Sequence, residues 1–591
     1  MPATLLSARD MEFLLFDWIG LEARLEEQQK TGGGIDREAA QAYFDLSQKV
    51  AEEEFLPHYK ASDVTEPWLD ADGVHVLPEI GAALSKFRDL GLFGASFPEE
   101  LGGMGLSSLL TSVSYAWFAA ANGASVGYAM LTGANARLIS AFGSPKQVET
   151  FALPQIAGDW FGTMCLSEPQ AGSGLGDVRT RAIADGSDEL GNRYRLRGNK
   201  MWISGGDQDL SENIVHLVLA KVPDQDGNLP EGTKGISLFI VPKFLPDGTR
   251  NDVVAAGLNH KMGNRGTSNC LMNFGENDGA IGWIVGEPGH GLRQMFMMMN
   301  EARIAVGFGG ASLACRGYLL AVEYAKERQQ GRRIGQRGGD PVAIIEHADI
   351  KRMLLAAKSY AEGSMALCLF CADLVDRKGD AEAQVMLGLL TPVAKTYPAE
   401  FGRVANDLAI QVHGGYGYTR DFDVEQLYRD NRLNPIHEGT TGIQAQDLLG
   451  RKILHSNGDG LNALKARAAT TMAKAREIRA LATHADALQT ALGQIEKTVS
   501  ALSKINPLAQ TDNAAPFFQA FCITVVAWQW LDQAICASAK KCANQDEQNF
   551  VQGKLAACRY FFECELTTIT PLLTFVASGS DAVAGVSSDY F

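Results

Sequence analysis

The sequence predicts an α+β protein in successive parts: an N-terminal helical domain, a middle β domain built as a barrel or sandwich, a C-terminal helical bundle, and an additional helical domain at the C-terminus. Three observations predict it. Apolar residues keep a helical period from Ile35 to about Ile156. Short apolar runs separated by Gly, Asp, Asn and Pro clusters follow between Trp160 and Phe274. Long helical runs return after Gly291. This order excludes a doubly wound α/β sheet, which needs strands and helices in alternation. The boundaries read as an arm over 1–34, then 35–159, 160–280, 281–455 and 460–591.

Taken in order, residues 4 to about 30 read as a short helical arm, with Phe13, Leu14, Phe16, Leu21 and Leu25 at near-helical spacing. Gly32-Gly33-Gly34 ends it. The stretch 107–131 is Ala-rich and apolar on nearly every face, the pattern of a helix buried in a bundle. Strands are expected over 161–166, 194–196, 201–203, 214–220 and 235–241, and helices over 292–330, 347–377, 381–411 and 442–455. A break at 456–460 precedes a helical tail.

Of the 591 residues, 53 are Lys or Arg and 69 are Asp or Glu, so the net charge is −16. From Gly460 onward the two classes balance at 11 each, which leaves the whole excess on residues 1–459. An acidic chain is poorly suited to phosphate backbones, so no nucleic-acid partner is expected. Mean hydropathy is −0.07. The most apolar run, 521–537, is interrupted by Gln529, Asp532 and Gln533, short of the ~18 apolar residues that mark a span. The start lacks the basic cluster and cleavage pattern of a signal peptide. A cytoplasmic location without membrane association is expected. Ten cysteines are scattered, and Cys368-Leu-Phe-Cys371 has neither a second pair nor a neighbouring His. No metal is expected, and the thiols read as reduced core residues.

Three segments could carry chemistry. Ser167-Glu-Pro-Gln-Ala-Gly-Ser173 follows a strand with small and hydroxyl residues that let a ligand approach backbone. Trp202-Ile-Ser204 places an aromatic plane and a hydroxyl at another strand end, suited to a flat heteroaromatic ring. Gln411-Val-His-Gly-Gly-Tyr-Gly-Tyr-Thr419 packs three glycines into four positions at a helix end. Downstream, Glu438 sits between Pro435 and a new helix, for which Thr441 and Gln444 fit a capping box. A loop carboxylate in an apolar pocket has its pKa raised into the working range of a base. A surface acid beside a helix start fits the same residues. The run Met295-Phe-Met-Met-Met299 could line an acyl slot or pack the core.

These segments resemble the acyl-CoA dehydrogenases. Pro98-Glu-Glu-Leu-Gly-Gly-Met-Gly105, Leu166-Ser-Glu-Pro-Gln-Ala-Gly-Ser173, Gly198-Asn-Lys-Met-Trp-Ile-Ser204, Lys261-Met-Gly263, Gly286-Glu-Pro-Gly-His-Gly291, Glu327-Arg328, the Gln411–Thr419 run and Glu438-Gly-Thr440 agree in order and spacing over roughly residues 35–455. The arm and the tail resemble the long bacterial class that includes the 3-methylmercaptopropionyl-CoA dehydrogenases.

The resemblance implies FAD and oxidation of an acyl-CoA thioester to the trans-2-enoyl-CoA, with Glu438 as the base that removes the α-proton. Met164, Leu166, Ser167, Trp202, Ile203 and Ser204 match flavin contacts. Arg328 and Gln411 match positions that reach the FAD of a neighbouring subunit, which implies a homodimer. Gly414, Gly415, Thr440 and Thr441 fall among the cofactor-binding positions, and Ser173, Arg303 and Gly439 among those near substrate. For Arg303 a structural ion pair is an equal reading. An electron-transfer flavoprotein is the implied acceptor. Two other readings remain: an acyl-CoA oxidase of the same fold, and a catalytically idle flavoprotein that serves as a binding module.

Overall fold

Ser107 opens the central helix of residues 32–302 by accepting a hydrogen bond from the Leu110 N–H, and the helix then runs Ser108–Phe142. Its Ala-rich sequence buries most faces, as the composition predicts. Asn122 breaks the helical dihedrals within it, and its side chain answers the disturbance by accepting from the Ser125 N–H and donating to Ser62. The computed structural model describes residues 5–30, 34–336 and 338–591, without side chains for 296–300. The chain forms two units, one of residues 32–302 and one of 1–31 with 303–591.

In the first unit a small hairpin, β1 (Trp68–Leu69) and β2 (Val74–His75), precedes an eight-stranded sheet. Its strands are β3 (Trp160–Cys165), β4 (Arg181–Asp188), β5 (Gly191–Ser204), β6 (Asn213–Lys221), β7 (Ile236–Pro242), β8 (Val253–Leu258), β9 (Asn269–Phe274) and β10 (Ala280–Ile284). The order β10-β7-β6-β4-β5 closes on itself because β10 also pairs with β5. Closure removes exposed strand edges. Residues 191–197 of the long β5 serve this ring, while its part from Gly198 onward pairs with β9. β3 lies parallel to β6. The Ser108–Phe142 helix is fastened to both: Asn135 Nδ2 donates to the carbonyls of Thr163 (2.9 Å) and Val215 (2.8 Å). β6 and β7 are buried at every position, hence their near-continuous apolar sequence.

The β1–β2 hairpin falls within the stretch expected to be helical, and four strands of the sheet were also outside the expected runs. β4, β8, β9 and β10 are short or partly polar, and pairing rather than apolar alternation makes them strands. The expected separate strands at 194–196 and 201–203 are one strand, β5, with a bulge against β9 between Lys200 and Ile203.

The second unit is helical. Helices Ala348–Asp376 and Ala381–His413 pair along their length, and the tail supplies Asp459–Arg476, Ala482–Leu502, Ala514–Ala539, Gln545–Tyr560 and Ile569–Ala577. Among the described residues two helices, Glu301–Glu327 and Ala514–Ala539, are long and apolar enough to cross a membrane, yet their most apolar windows are 72% and 83% buried inside the protein, as core helices are. Trp530 is fully buried and donates its indole N–H to the Ser359 carbonyl (3.2 Å), which seats the tail on the bundle.

The arm belongs to this unit as well. Ser7 caps helix Ala8–Glu12, and Gly20, at φ 75°, ends the turn that follows. Phe13 meets Phe550 edge-on at 5.5 Å, and Trp18 Nε1 donates to Asp532 (2.9 Å). Between arm, bundle and tail lies the fully buried ammonium of Lys554. It pairs with Asp10 and with Glu362 (2.9 Å), and it stands 5.2 Å from the ring centres of both Phe13 and Trp530. Cys368 and Cys371 are core residues whose thiols burial pushes up, away from the reactive thiolate. The Gly32-Gly33-Gly34 break lies largely outside the described residues, and in the Met295–Met299 run only the buried Met295 has a described side chain.

Candidate active site

In the 32–302 unit a buried ion pair organises one group of candidate residues. Glu168, just beyond β3, accepts from Lys200 Nζ (2.9 Å), the Arg179 N–H (2.7 Å), and the N–H (3.0 Å) and hydroxyl (2.6 Å) of Thr180. Burial pushes its carboxyl up, but the Lys200 charge and these hydrogen bonds prevail and hold it at about 2. Lys200 Nζ also donates to the Leu166 carbonyl (3.0 Å), and the Met201 N–H to the Ser167 carbonyl (3.0 Å). Leu166 and Ser167 are thereby brought beside the C-terminal end of β5. There the bulge puts Trp202 at φ 65°, a left-handed conformation that strains a bulky residue, and leaves it 60% exposed. Ile203 is buried, Ser204 accepts from Asn269 Nδ2 (3.3 Å), and Met164 is half-buried in β3. Ser173 is exposed in the loop after β3.

The other unit holds two groups. Arg328, exposed just past helix Gly291–Glu327, stands 5.8 Å from the Tyr416 ring centre. That ring belongs to the turn Gly414–Tyr418, which follows Gln411 and contains Gly414 and Gly415. The second group surrounds Glu438, which is half-buried and held at φ 52°. Gln444 Nε2 donates to the Glu438 carbonyl (3.0 Å). At Gly439 a side chain would be strained by φ 87°, and its Cβ would come within 2.6 Å of the Gln444 amide and displace it. The expected capping box of Thr441 and Gln444 does not form. Thr440, not Thr441, caps helix Thr441–Gln446 by accepting from the Ile443 N–H (3.4 Å). Thr441 instead donates to Glu400 (2.6 Å), and Gln444 is taken by Glu438.

Burial raises the Glu438 carboxyl above the usual range, against the opposing charges of Arg303 and Lys395. Arg303 is buried and pairs with Asp447 at 3.4 Å, so the structural ion pair and the influence on Glu438 coexist. Lys395 is fully buried and donates to the Gly439 carbonyl (2.8 Å). Burial lowers it to about 8 although Glu438 and Glu400 favour its charge. Among the described residues the Glu438 N–H makes no hydrogen bond.

Family models match along the chain: acyl-CoA dehydrogenase N-terminal domain over 37–159, middle domain over 163–276, C-terminal domain over 289–454, and an acetyl-CoA dehydrogenase C-terminal-like domain over 464–587. The 3-methylmercaptopropionyl-CoA dehydrogenase of Ruegeria pomeroyi is 36% identical over 83% of this chain and 84% of its own. This chain belongs to the acyl-CoA dehydrogenase family. The broad-specificity linear acyl-CoA dehydrogenase FadE5 of Mycobacterium tuberculosis is 32% identical over 96% of both chains. Among solved structures, Caenorhabditis elegans ACDH-11 in complex with C11-CoA aligns over 91% of this chain and 90% of its own, with a TM-score of 0.75 and 22% identity. An acyl-CoA dehydrogenase from Bacillus anthracis complexed with FAD aligns over 92% and 89%, with a TM-score of 0.73 and 19% identity.

As an acyl-CoA dehydrogenase the chain is an oxidoreductase acting on acyl-CoA, and members of the family bind FAD. The residues present suit that cofactor: an exposed indole plane at Trp202 with hydroxyls at Ser167 and Ser204, and an exposed guanidinium at Arg328 whose planar donors match a pyrophosphate. Sequence reasoning missed Lys200, the ion-pairing role of Glu168, and Lys395. The first two stood in quoted motifs. Lys200 directly precedes the apolar run Met201-Trp-Ile203, which was the available signal, a weak one, because β5 carries other charged residues. Lys395 had a weaker one, a lone cation between Pro392 and Pro398 in a helix buried over most of its length.

Proposed function

We propose that this acyl-CoA dehydrogenase converts an acyl-CoA thioester to the trans-2-enoyl-CoA with Glu438 as the base. The observation that carries the reading is the Glu438 site: a half-buried carboxyl with raised pKa, two buried cations around it, and a backbone in the left-handed region. Glu438 takes the α-proton. As it leaves, negative charge develops on the thioester oxygen. The unpartnered Glu438 N–H supports a role as one donor to that oxygen, and a donor of this kind is typically worth ~2.7–4 kcal/mol. Bound FAD supplies the acceptor for the β-hydrogen, which leaves as hydride. Trp202, Ser167 and Ser204, with Met164, Leu166 and Ile203, would hold the flavin. Arg328, Gln411, Gly414, Gly415, Thr440 and Thr441 would serve the rest of the cofactor, and Ser173, Arg303 and Gly439 the substrate side. An electron-transfer flavoprotein would reoxidise the enzyme in the cytoplasm.

An anaerobic titration with acyl-CoAs from C3 to C18, including 3-methylmercaptopropionyl-CoA, tests the reading. Flavin absorbance should bleach with at least one of them. The similarity to the Ruegeria pomeroyi enzyme supports the methylthio compound as a candidate. A flavin that no thioester bleaches would favour the idle module, and peroxide release on re-aeration at the turnover rate would favour an oxidase.

Arg328 provides a separate expectation about assembly. Its exposed guanidinium supports a contact with the cofactor of a partner subunit in a homodimer. Arg328→Ala should lower both FAD retention on gel filtration and the dimer fraction in sedimentation. A variant that lost neither would confine Arg328 to its own subunit's surface.

A further inference from the structure

The Glu438 loop is held by a charge that no catalytic motif contains. Lys395 lies in helix Ala381–His413 between Pro392 and Pro398, each of which removes a backbone donor from the helix. The Ala394 carbonyl, left without the Pro398 N–H, accepts instead from the Cys368 thiol (3.8 Å). From this segment the Lys395 side chain reaches the Gly439 carbonyl at 2.8 Å and is 0% exposed. The Gly439 carbonyl belongs to the Gly439–Thr440 peptide, one peptide beyond Glu438, so this hydrogen bond fastens the loop just after the residue that bears the carboxylate.

The two cations that act on Glu438 differ. Arg303 is paired with Asp447, and Arg451 and Lys452 stand in the same charged neighbourhood. Lys395 has no ion pair within 4.0 Å among the described residues. Its acidic neighbours are Glu438 and Glu400, and Glu400 is already engaged by Thr441 (2.6 Å) and Arg403 (3.7 Å). His437 adds no positive charge at neutral pH, because burial, with Lys395 nearby, pushes it down to about 3. An ammonium buried without a committed counter-ion is costly unless a nearby carboxylate answers it. Here the available one is Glu438.

We infer that Lys395 is the positioning residue of this site: its buried ammonium anchors the Gly439 carbonyl and supplies an uncommitted positive charge to the Glu438 carboxylate. The inference rests on Glu438 being the base. It predicts that the two side chains are coupled in function and in stability, and that the coupling depends on charge. An opposite charge at short range favours the ionised form of a carboxyl by about 1–3 pH units. A base must be ionised to act, so loss of the cation moves the acid limb of the rate profile upward.

The test uses Lys395→Met, Lys395→Arg, Glu438→Gln and the double variant Lys395→Met/Glu438→Gln in the full-length holoenzyme. In Lys395→Met the acid limb of the flavin-bleaching rate should move up by about one pH unit or more, so that the rate falls several-fold further at pH 6 than at pH 9. Lys395→Arg should return the limb toward the wild-type position. In denaturant titrations of the apoproteins, Glu438→Gln should recover part of the midpoint lost in Lys395→Met. A uniform loss of rate at all pH values with additive midpoints would overturn the inference and leave Lys395 a packing residue. A Glu438→Gln single variant that bleaches at the wild-type rate would overturn the base assignment instead, and the midpoint coupling would still decide whether the two side chains interact.

Discussion

Glu438→Gln is expected to retain bound FAD and to lose bleaching by acyl-CoA, with the rate falling by ~10²–10⁴, the range a positioned general base contributes. The amide keeps the size and shape of the side chain and asks nothing new of the backbone, which already tolerates φ 52° at this position. It cannot take up a proton. Stopped-flow absorbance after anaerobic mixing reads the loss, and bleaching at the wild-type rate would sink the assignment. The same substitution changes how stability depends on pH. Burial raises the folded-state pKa of Glu438 above its unfolded value. Its contribution to stability is therefore complete below the unfolded pKa and is lost as pH rises through the folded one. Glu438→Gln has no carboxyl to titrate, so denaturation midpoints of the wild type should fall relative to those of the variant as pH rises through the folded pKa; midpoints that stay parallel across pH would show that this carboxyl does not titrate with folding.

Lys554→Met is expected to destabilise the protein by about 3–5 kcal/mol, the range for breaking a buried ion pair from one side. Lys554 is fully buried, and its ammonium answers both Asp10 and Glu362. Lys358 still pairs with Glu362 in the variant, so the carboxylate left without a partner is Asp10. Burial and the neighbouring Glu362 already raise the Asp10 carboxyl, and loss of Lys554 raises it further. Its ionised form then opposes folding above the unfolded pKa. The deficit should accordingly narrow below about pH 4, where Asp10 is protonated in both states. Asp10→Asn in the Lys554→Met background should restore part of the loss at pH 7. Limited proteolysis should also cut the variant within residues 5–30 sooner than the wild type, since Asp10 is one of the arm's fastenings. Equal midpoints and equal cutting rates would show that Lys554 fastens nothing.

The helical order and the chemistry-bearing motifs were legible because each leaves a local trace. Apolar periodicity marks helices such as Ala381–His413, expected over 381–411, and Gly, Pro and hydroxyl clusters mark loops. Glu438 was legible as a candidate because it stands beside glycine at a helix start. The strands of β4, β8, β9 and β10 left no such trace. β4 has a mostly exposed, polar sequence and becomes a strand through partners at β5 and β6. β5 shows in the sequence as two apolar runs because the polar segment Arg197-Gly-Asn-Lys200 separates them. The Lys200 charge is buried against Glu168, and the strand continues through it.

By itself the sequence determined the helical–β–helical order, the acidic body with a neutral tail, and the motifs that place the chain among acyl-CoA dehydrogenases. Each is set by residues close together along the chain. Only the tertiary structure decided which buried charges answer one another: Lys200 with Glu168, Lys554 with Asp10 and Glu362, and Lys395 beside Glu438 with its ammonium on the Gly439 carbonyl. In sequence these partners lie 32, 544, 192 and, for Lys395 and Gly439, 44 residues apart. An unpaired buried charge is too costly to leave in place, but the residue that relieves the cost is chosen by proximity in space, which no local pattern records.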